Sequence, residues 1–211
     1  MHYHVLNLAR DPERLATFRQ NNPECAYFSH RVAVDGKQVD RAWLISQGVM
    51  QPDLVYTDGA VGCALSHMSF WMDVVRRQEA ATIAEDDAVL REDFREIQEK
   101  LLADLPDDWE LVHWGFNTDA YVTFQLPEFR RARVIPRLET LLRCHGTMCY
   151  SISPRGAKRL LEQVVPLRPM SVFYPGLSHL KINTGIDDMM ADYYGEMNAY
   201  VCFSASCGFV A

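Results

Sequence analysis

A long run of hydrophobic positions at helical spacing lies between residues 58 and 75. Apolar side chains recur there at steps of four and three residues, which places them on one face of an α-helix: Val61, Leu65, Met68, Met72 and Val75. Asp58 stands at the start of the run, in the position of an N-cap. The pattern predicts a long amphipathic helix that packs one apolar stripe against the core.

A short apolar segment, residues 80–84, follows this helix and ends in three consecutive acids. Its length and its β-branched residues favour a strand buried on both faces over another helical turn. Side chains alternate along a strand, so Glu85 and Asp87 should point to one side and Asp86 to the other. The sequence therefore predicts a carboxylate cluster at the carboxyl end of a central strand.

These neighbouring carboxylates should destabilise one another unless a positive charge lies between them. A divalent cation would supply that charge, and two oxygen ligands on one side of the strand suit Mn²⁺ or Mg²⁺. A solvated acidic turn explains the acids equally well, because such runs are common in loops. Glu85, Asp86 and Asp87 are therefore predicted metal ligands, with the turn as the alternative.

The rest of the chain alternates strands with helices, which is typical of an α/β fold with a mainly parallel sheet. The predicted strands are residues 2–8, 25–34, 109–114, 147–153 and 199–203. The predicted helices are residues 12–21, after an N-cap at Asp11, then 38–48, 92–102, 154–165 and a last helix that ends near residue 196. The proline-containing residues 165–181 are predicted to form an irregular loop, of a length that usually indicates function.

Ligands of parallel α/β sheets lie beyond the carboxyl ends of the strands. The first strand ends near Asn7 and Leu8, so Arg10 and Arg14 follow at a distance from which guanidinium groups can reach anionic oxygens. Two ordinary surface arginines are the alternative. The first strand end is therefore a predicted nucleotide contact.

Three further regions have two interpretations each. Asp35 and Gly36 end the second strand, where the carboxylate could bind a ribose or a base, but a plain turn explains the dipeptide equally well. His67 lies in the middle of the long helix, where a histidine is more often a core residue than a ligand contact. Residues 119–137, rich in arginine and proline, are predicted to be a solvated basic loop, with a flap near the site as the alternative.

Length and charge limit the classes of function. A chain of 211 residues suffices for one domain with a sizeable core, here residues 1–211. A formal net charge of −7 argues against nucleic acid as a partner, whereas a nucleotide needs only a local site. We find neither a signal peptide nor a transmembrane segment, so the six cysteines are expected to be reduced thiols in the cytosol. Their pairs are spaced too widely for a zinc knuckle.

Five ordered blocks of sequence carry a family resemblance: VLNLARDPERL near the start, AVDG at residues 33–36, AVGCALSH with Trp71 and IAEDDAVL, TMCYSISPRGAKRLL at residues 147–161, and GIDDMM at residues 185–190. Together they resemble glycosyltransferase family 25, the bacterial lipooligosaccharide galactosyltransferases and their collagen-modifying relatives. The blocks span nearly the whole chain, which makes the resemblance specific.

The resemblance implies a single GT-A-like, Rossmann-type domain with helices on both sides of a mainly parallel sheet. It implies transfer of a hexose, most often galactose, from a UDP-sugar to a saccharide or glycolipid acceptor such as lipooligosaccharide, with inversion and with Mn²⁺ or Mg²⁺. It also implies a set of contacts to the nucleotide sugar: Asn7, Leu8, Arg10, Arg14, Asp35, Gly36 and His67.

In the family, the pair that matches Ile186 and Asp187 faces the acceptor side of the cleft. Asp187 or Asp188 is therefore the expected general base. Thr184 and Asp187 also have the spacing of a capping box, so a helix cap is an equal alternative.

The chain is expected to be cytoplasmic, with at most peripheral contact at the inner face of the cell membrane. It ends in SASCGFVA, without the proline-containing segment and basic tail of the relatives, which leaves open a minimal enzyme, a truncated chain or a fold that has lost activity. The alternative functions are a non-catalytic protein that binds a sugar nucleotide or glycan, and a metal-dependent phosphohydrolase.

Overall fold

The computed structural model of the protein describes residues 1–115, 121–122, 137–174, 179–203 and 207–209. The α-helices in these ranges are α1 (Pro12–Asn21), α2 (Arg41–Ser46), α3 (Asp58–Arg77), α4 (Phe94–Ala103), α5 (Pro154–Val164) and α6 (Ile186–Tyr193). The strands are β1 (His2–Asn7), β2 (Ser29–Val32), β3 (Ala81–Glu85), β4 (Ala88–Leu90), β5 (Leu111–His113), β6 (Tyr121–Val122), β7 (Arg137–Arg143), β8 (Cys149–Ile152), β9 (Ser171–Tyr174), β10 (His179–Ile182), β11 (Ala199–Phe203) and β12 (Cys207–Phe209).

A central eight-stranded sheet has the order β2-β1-β3-β8-β5-β11-β7-β6. β1 runs parallel to both β2 and β3, and β5 runs parallel to β11, whereas β8 and β7 run against their neighbours. The predicted α/β class with a mainly parallel sheet is therefore confirmed. Because β1, β2 and β3 are parallel, their carboxyl ends lie at one edge of the sheet.

Helices cover both faces of the sheet, and each face has its own apolar core. On one face, Val61 of α3, Leu160 of α5 and Met190 of α6 belong to one cluster. On the other face, Phe18 of α1 and Phe94 of α4 belong to a second cluster. The two cores fix the strand ends, and the loops that leave them, in place.

The long helix α3 confirms the prediction from periodicity and corrects two details. Its N-cap is Thr57, whose hydroxyl accepts the N–H of the third helical residue, so Asp58 is the first helical residue and not the cap. Met72, predicted in the buried stripe, is 54% exposed, whereas Trp71 is fully buried. The indole N–H of Trp71 donates to the Tyr150 hydroxyl inside the core, on the buried face of α3.

Three other predicted segments differ in extent, and one predicted N-cap lacks its capping hydrogen bond. The predicted strand at 25–34 is shorter, because a 3₁₀ turn, Pro23–Cys25, precedes β2. The predicted helix at 38–48 contains only α2, and the predicted loop at 165–181 contains β9 and part of β10, which form an antiparallel hairpin. Asp11 occupies the N-cap of α1, but its side chain makes no capping hydrogen bond.

Most of the predicted basic loop at 119–137 lies outside the described residues. None of the helices in the described ranges combines the length and the apolar content needed to cross a membrane. Cys25 and Cys63 carry free thiols.

Candidate functional site

A pocket lies beyond the carboxyl ends of β1, β2 and β3, where a ligand is expected in this class of fold. Its cavity volume is about 300 Å³. We call it the arginine pocket. Its lining includes eight residues predicted from the sequence: Asn7, Leu8, Arg10, Arg14, Asp35, Gly36, Glu85 and Asp86.

A larger open depression, of about 650 Å³, lies at the opposite edge of the sheet, near the start of β5. Its buried carboxylate, Glu110, is already paired with Arg155 at 3.4 Å and Arg159 at 3.2 Å. None of the predicted site residues lines it. Volume alone therefore does not identify the functional site.

Each arginine of the arginine pocket is paired with a carboxylate. Arg10 donates a hydrogen bond to Asp35, while Arg14 donates to Asp86 and lies 3.4 Å from Asp87. The Arg10 guanidinium, together with a backbone N–H, holds the pKa of Asp35 below its usual range. The side chains of Arg10 and Arg14 remain 46% and 52% exposed, so a ligand anion can reach them.

Asn7 fixes the geometry at the end of β1. Its side chain is buried, and its amide donates to the carbonyl oxygen of Asp11 at 3.0 Å and to Oδ2 of Asp86 at 2.7 Å. The same amide therefore ties the turn into α1 to the acidic end of β3. This contact holds Asp86 beside Arg14.

Gly36 brings the loop after β2 into direct contact with the first turns of α3. A Cβ at this position would lie 1.7 Å from the carbonyl oxygen of Asp58 and 2.9 Å from the backbone nitrogen of Gly62. Any larger residue would push the loop away from α3. Gly36 thus sets the place of Asp35 in the pocket.

Glu85 ends β3 and turns toward α3 and β8. The Thr147 hydroxyl donates to Oε1 of Glu85, and Nε2 of His67 lies 3.8 Å from the same oxygen. Burial alone raises the pKa of Glu85, but His67 and Thr147 hold it below its usual value. The sulfur of Cys63, a ring nitrogen of His67 and a carboxylate oxygen of Glu85 lie within 4.8 Å of one another.

His67 is fully buried in α3 and lies beneath the arginine pocket rather than in its lining. Its Nδ1 lies 2.8 Å from the Tyr150 hydroxyl, which also accepts the indole N–H of Trp71 at 2.9 Å. Burial lowers the pKa of His67, but Tyr150, Cys63 and Glu85 together raise it well above the ordinary value. His67 is thus both a core residue and a neighbour of the site.

The three acids at the end of β3 do not follow the predicted alternation. β3 ends at Glu85, and the chain turns at the next two residues, so strand geometry no longer sets where Asp86 and Asp87 point. Asp86 and Asp87 both approach Arg14, whereas Glu85 faces His67. The Asp87 side chain is 47% exposed and lies outside the pocket lining.

A second cluster of titratable side chains, which we call the aspartate group, comprises His145, Asp187 and Asp188. His145 Nδ1 lies 3.1 Å from Oδ1 of Asp188, and the backbone N–H of Gly146 donates to Oδ2 of Asp187 at 3.0 Å. Oδ2 of Asp188 accepts the backbone N–H of Thr184 at 2.7 Å. The bond back to Thr184 is therefore made by Asp188, and the alternative that Asp187 forms a capping box with Thr184 is wrong.

Asp187 has the electrostatics of a group that gains protons readily. Burial, and then the charge of Asp188, raise its pKa above the ordinary range for aspartate. The Gly146 N–H and His145 act in the opposite direction and do not cancel that effect. The raised pKa makes this carboxylate a better proton acceptor than an ordinary aspartate.

Residues 145–147 join the aspartate group to the arginine pocket. His145 contacts Asp188, the Gly146 N–H binds Asp187, and the Thr147 hydroxyl binds the pocket residue Glu85. The backbone at Gly146 has φ +92°, a conformation that favours glycine.

The sequence prediction missed His145, Gly146 and Cys63 as site residues, and it gave Thr147 no role beyond starting a strand. The sequence signal that could have identified His145 and Gly146 was the histidine-glycine-threonine run at the start of the predicted strand. For Cys63 the signal was its position one helical turn before His67.

Comparisons with known proteins agree on one family. The family model described as glycosyltransferase family 25 (LPS biosynthesis protein) matches residues 1–174. A Mus musculus protein named inactive glycosyltransferase 25 family member 3 is 30% identical over 192 residues, which cover 81% of this chain and 31% of the relative. Procollagen galactosyltransferase 2 of Mus musculus is 31% identical over 160 residues, which cover 68% of this chain and 24% of the relative.

The chain thus spans about a third or less of the length of these curated relatives. Among solved structures, the crystal structure of A197 from STIV aligns with 100% of this chain and 87% of its own, at 11% identity and a TM-score of 0.44. A likeness of that size supports no argument about function. Similar relatives carry names of both active and inactive proteins, so chemistry has to be argued from the site.

Proposed function

Because the chain belongs to glycosyltransferase family 25, we propose that it transfers a hexose from a UDP-sugar to a saccharide hydroxyl with inversion. Galactose is the favoured hexose, since a similar relative is named a procollagen galactosyltransferase. The acceptor is a saccharide or glycolipid such as lipooligosaccharide. One observation carries the proposal: residues 145–147 join a carboxylate of raised pKa to the floor of an arginine-lined pocket.

The arginine pocket offers the contacts that a nucleoside diphosphate needs. Arg10 and Arg14 are exposed at their guanidinium ends and can exchange their carboxylate partners for diphosphate oxygens. Asp35 is held ionised beside them and can accept hydrogen bonds from ribose hydroxyls or the base. Gly36 lets the loop lie close to α3, which keeps these groups on one wall.

The carboxylates at the end of β3 are oxygen donors of the kind that hard divalent cations prefer, although Glu85 faces His67 while Asp86 and Asp87 approach Arg14. Burial, and then the charge of Glu85, raise the pKa of Asp87, which indicates an excess of negative charge there. Mn²⁺ or Mg²⁺ would be held by Glu85, Asp86 and Asp87. When bound, such an ion neutralises charge on the departing diphosphate.

Asp187 is the better of the two expected bases. Both carboxylate oxygens of Asp188 accept or approach donors, at His145 and Thr184, and the side chain is buried. Asp187 receives a backbone N–H on one oxygen, and its raised pKa favours proton uptake. We assign Asp187 to the acceptor's proton and Asp188 to orienting the loop that carries His145. Attack then proceeds on the face opposite the leaving group, which gives inversion.

A panel of nucleotide sugars, each with and without Mn²⁺ and a saccharide acceptor, tests the proposal. We expect release of intact nucleoside diphosphate from UDP-galactose, dependent on Mn²⁺ and lost in Asp87→Ala. Equal turnover by Asp87→Ala would remove the metal assignment. Release of inorganic phosphate would instead identify a phosphohydrolase.

Binding without turnover is the outcome expected for a non-catalytic protein, as the names of the inactive relatives suggest for those proteins. Calorimetric titration with UDP, run on the same preparation, distinguishes this outcome from a pocket that binds no nucleotide. A chain that binds UDP and releases none from any donor would overturn the enzymatic part of the proposal only.

A further inference from the structure

Cys63 and His67 lie one turn apart on α3, so their side chains share one face of the helix. Glu85 reaches the same place from the end of β3. One potential ligand atom from each residue lies within 4.8 Å of the other two. A thiol, an imidazole and a carboxylate from two rigid elements therefore converge on one point.

His67 is the second observation that indicates a ligand at this point. The side chain is fully buried, and Nε2 has no hydrogen-bond partner among the described residues. This nitrogen faces Glu85 at 3.8 Å, too far for a good hydrogen bond. Leaving a buried ring nitrogen without a partner costs free energy that a ligand at Nε2 would recover.

The other side of the imidazole is held as in many metal sites. The Tyr150 hydroxyl lies 2.8 Å from Nδ1, and its oxygen can accept Nδ1–H as it accepts the indole N–H of Trp71. That arrangement fixes the ring and directs Nε2 toward Cys63 and Glu85, where its lone pair is available once a cation displaces the Nε2 proton. A metal-ligating histidine commonly has its second nitrogen fixed in this way.

A cation can reach this point from solvent. Cys63 and Glu85 both line the arginine pocket, and the Glu85 side chain is 31% exposed. His67 forms the buried base beneath them. The pocket side is therefore open for water or a ligand atom as a fourth ligand.

We propose that Cys63, His67 and Glu85 form a site for a thiophilic divalent cation of the Zn²⁺ class. Sulfur, nitrogen and oxygen ligands with one open position match the preference of Zn²⁺, whereas Mn²⁺ and Mg²⁺ prefer oxygen alone. Binding releases the thiol proton of Cys63 and the Nε2 proton of His67 to solvent, and the thiolate and the neutral imidazole bind the metal. The site shares Glu85 with the hard cation of the proposed transferase, but its existence does not rest on transferase activity.

Co²⁺, a spectroscopically visible substitute for Zn²⁺, tests the proposal on the purified full chain. We expect one equivalent to produce a thiolate-to-cobalt charge-transfer absorption that Zn²⁺ removes by displacement. Cys63→Ser should abolish this band, and His67→Gln should weaken Co²⁺ binding by more than about tenfold. The matched controls are Cys25→Ser, in the core of the opposite sheet face, and His2→Gln, at the other end of β1.

Three outcomes overturn the proposal: no charge-transfer band in the wild type, a band that survives Cys63→Ser, or equal loss in Cys63→Ser and Cys25→Ser. A fourth outcome is Co²⁺ binding that shows no charge-transfer band and is lost in Asp86→Asn. This outcome would place the cation on the carboxylates alone and would also overturn the proposal. Thermal unfolding of each variant shows whether it is folded. If His67→Gln does not fold, Cys63→Ser decides the matter, because Cys63 is only partly buried.

Discussion

The arginine pocket and the aspartate group are both rich in carboxylates and are joined by residues 145–147, yet their charges are balanced differently. In the pocket, Arg10 and Arg14 are paired with Asp35 and Asp86. In the aspartate group, the donors to Asp187 and Asp188 include backbone N–H groups, the Thr184 hydroxyl and the ring of His145. The pKa of Asp35 is accordingly lowered by Arg10, and that of Asp187 is raised by burial.

The difference separates binding from proton transfer. Exposed ion pairs contribute little net stability, so an incoming anion can replace the carboxylate partner at small cost. A buried carboxylate without an arginine is costly when ionised, and it takes up a proton more readily. The first arrangement suits a diphosphate, and the second suits a general base.

The largest effect is expected for Asp187→Asn. The amide keeps the shape and can still accept the Gly146 N–H, but it cannot take a proton. Loss of a general base should lower the transfer rate by about 10²–10⁴-fold, with little change in the KM for the nucleotide sugar. Asp192→Asn, on the same helix and paired with Arg143, is the matched control. Steady-state kinetics that show equal losses in both variants would contradict the assignment.

Arg14→Ala should act on the other region. Arg14 pairs with Asp86 and lies close to Asp87, so its loss removes an anion contact and leaves two carboxylates together. Loss of one hydrogen bond to a charged group, about 1.5–3 kcal/mol, should raise the Kd for UDP by roughly tenfold to a hundredfold. Calorimetric titration measures this change, with Arg19→Ala in the last turn of α1 as control. An unchanged Kd would place the diphosphate elsewhere.

Gly146→Ala tests the connection between the two regions. An alanine at φ +92° is strained, and we expect it to lower the free energy of unfolding by about 1–3 kcal/mol. Gly59→Ala, where an added Cβ meets only a side-chain oxygen at 3.8 Å, should be close to neutral. Denaturant unfolding compares the two variants. A neutral Gly146→Ala would show that residues 145–147 are not held by this conformation.

The elements near the arginine pocket could be predicted because they are encoded locally. Periodicity identified α3, a short apolar run identified β3, and strand ends identified the pocket edge. The rule that ligands lie beyond strand ends then predicted a nucleotide contact at Asn7, Arg10 and Arg14, which line the pocket. Each of these inferences needs only residues that are close in sequence.

The aspartate group and the core beneath the pocket depend on contacts between distant segments. β8 runs antiparallel between β3 and β5, and this pairing brings Thr147 to Glu85 and Tyr150 to His67. No local pattern encodes that position for β8. The prediction that Met72 is buried was wrong for a related reason, since the exact buried face of α3 is set by packing against distant segments, where Trp71 contacts Tyr150 of β8.

The smallest effect, and the most direct test of the contrast, is the pH dependence of stability in two variants. Asp187 has a raised pKa in the folded chain, so its protonation stabilises the fold below the unfolded pKa, and this contribution is lost as pH rises through the folded pKa. Asp187→Asn should therefore gain stability relative to the wild type as pH rises from acid to neutral. Asp35 has a lowered pKa, so its contribution is present above the unfolded pKa and is lost as pH falls.

Asp35→Asn should consequently lose stability relative to the wild type over the same rise in pH. Urea unfolding of the wild type and both variants at several pH values between acid and neutral gives the two differences. Opposite slopes are expected because an arginine lowers the pKa of Asp35, whereas burial and the charge of Asp188 raise the pKa of Asp187. Slopes of the same sign would mean that both acids experience similar surroundings, and the separation of binding from proton transfer would lose its electrostatic basis.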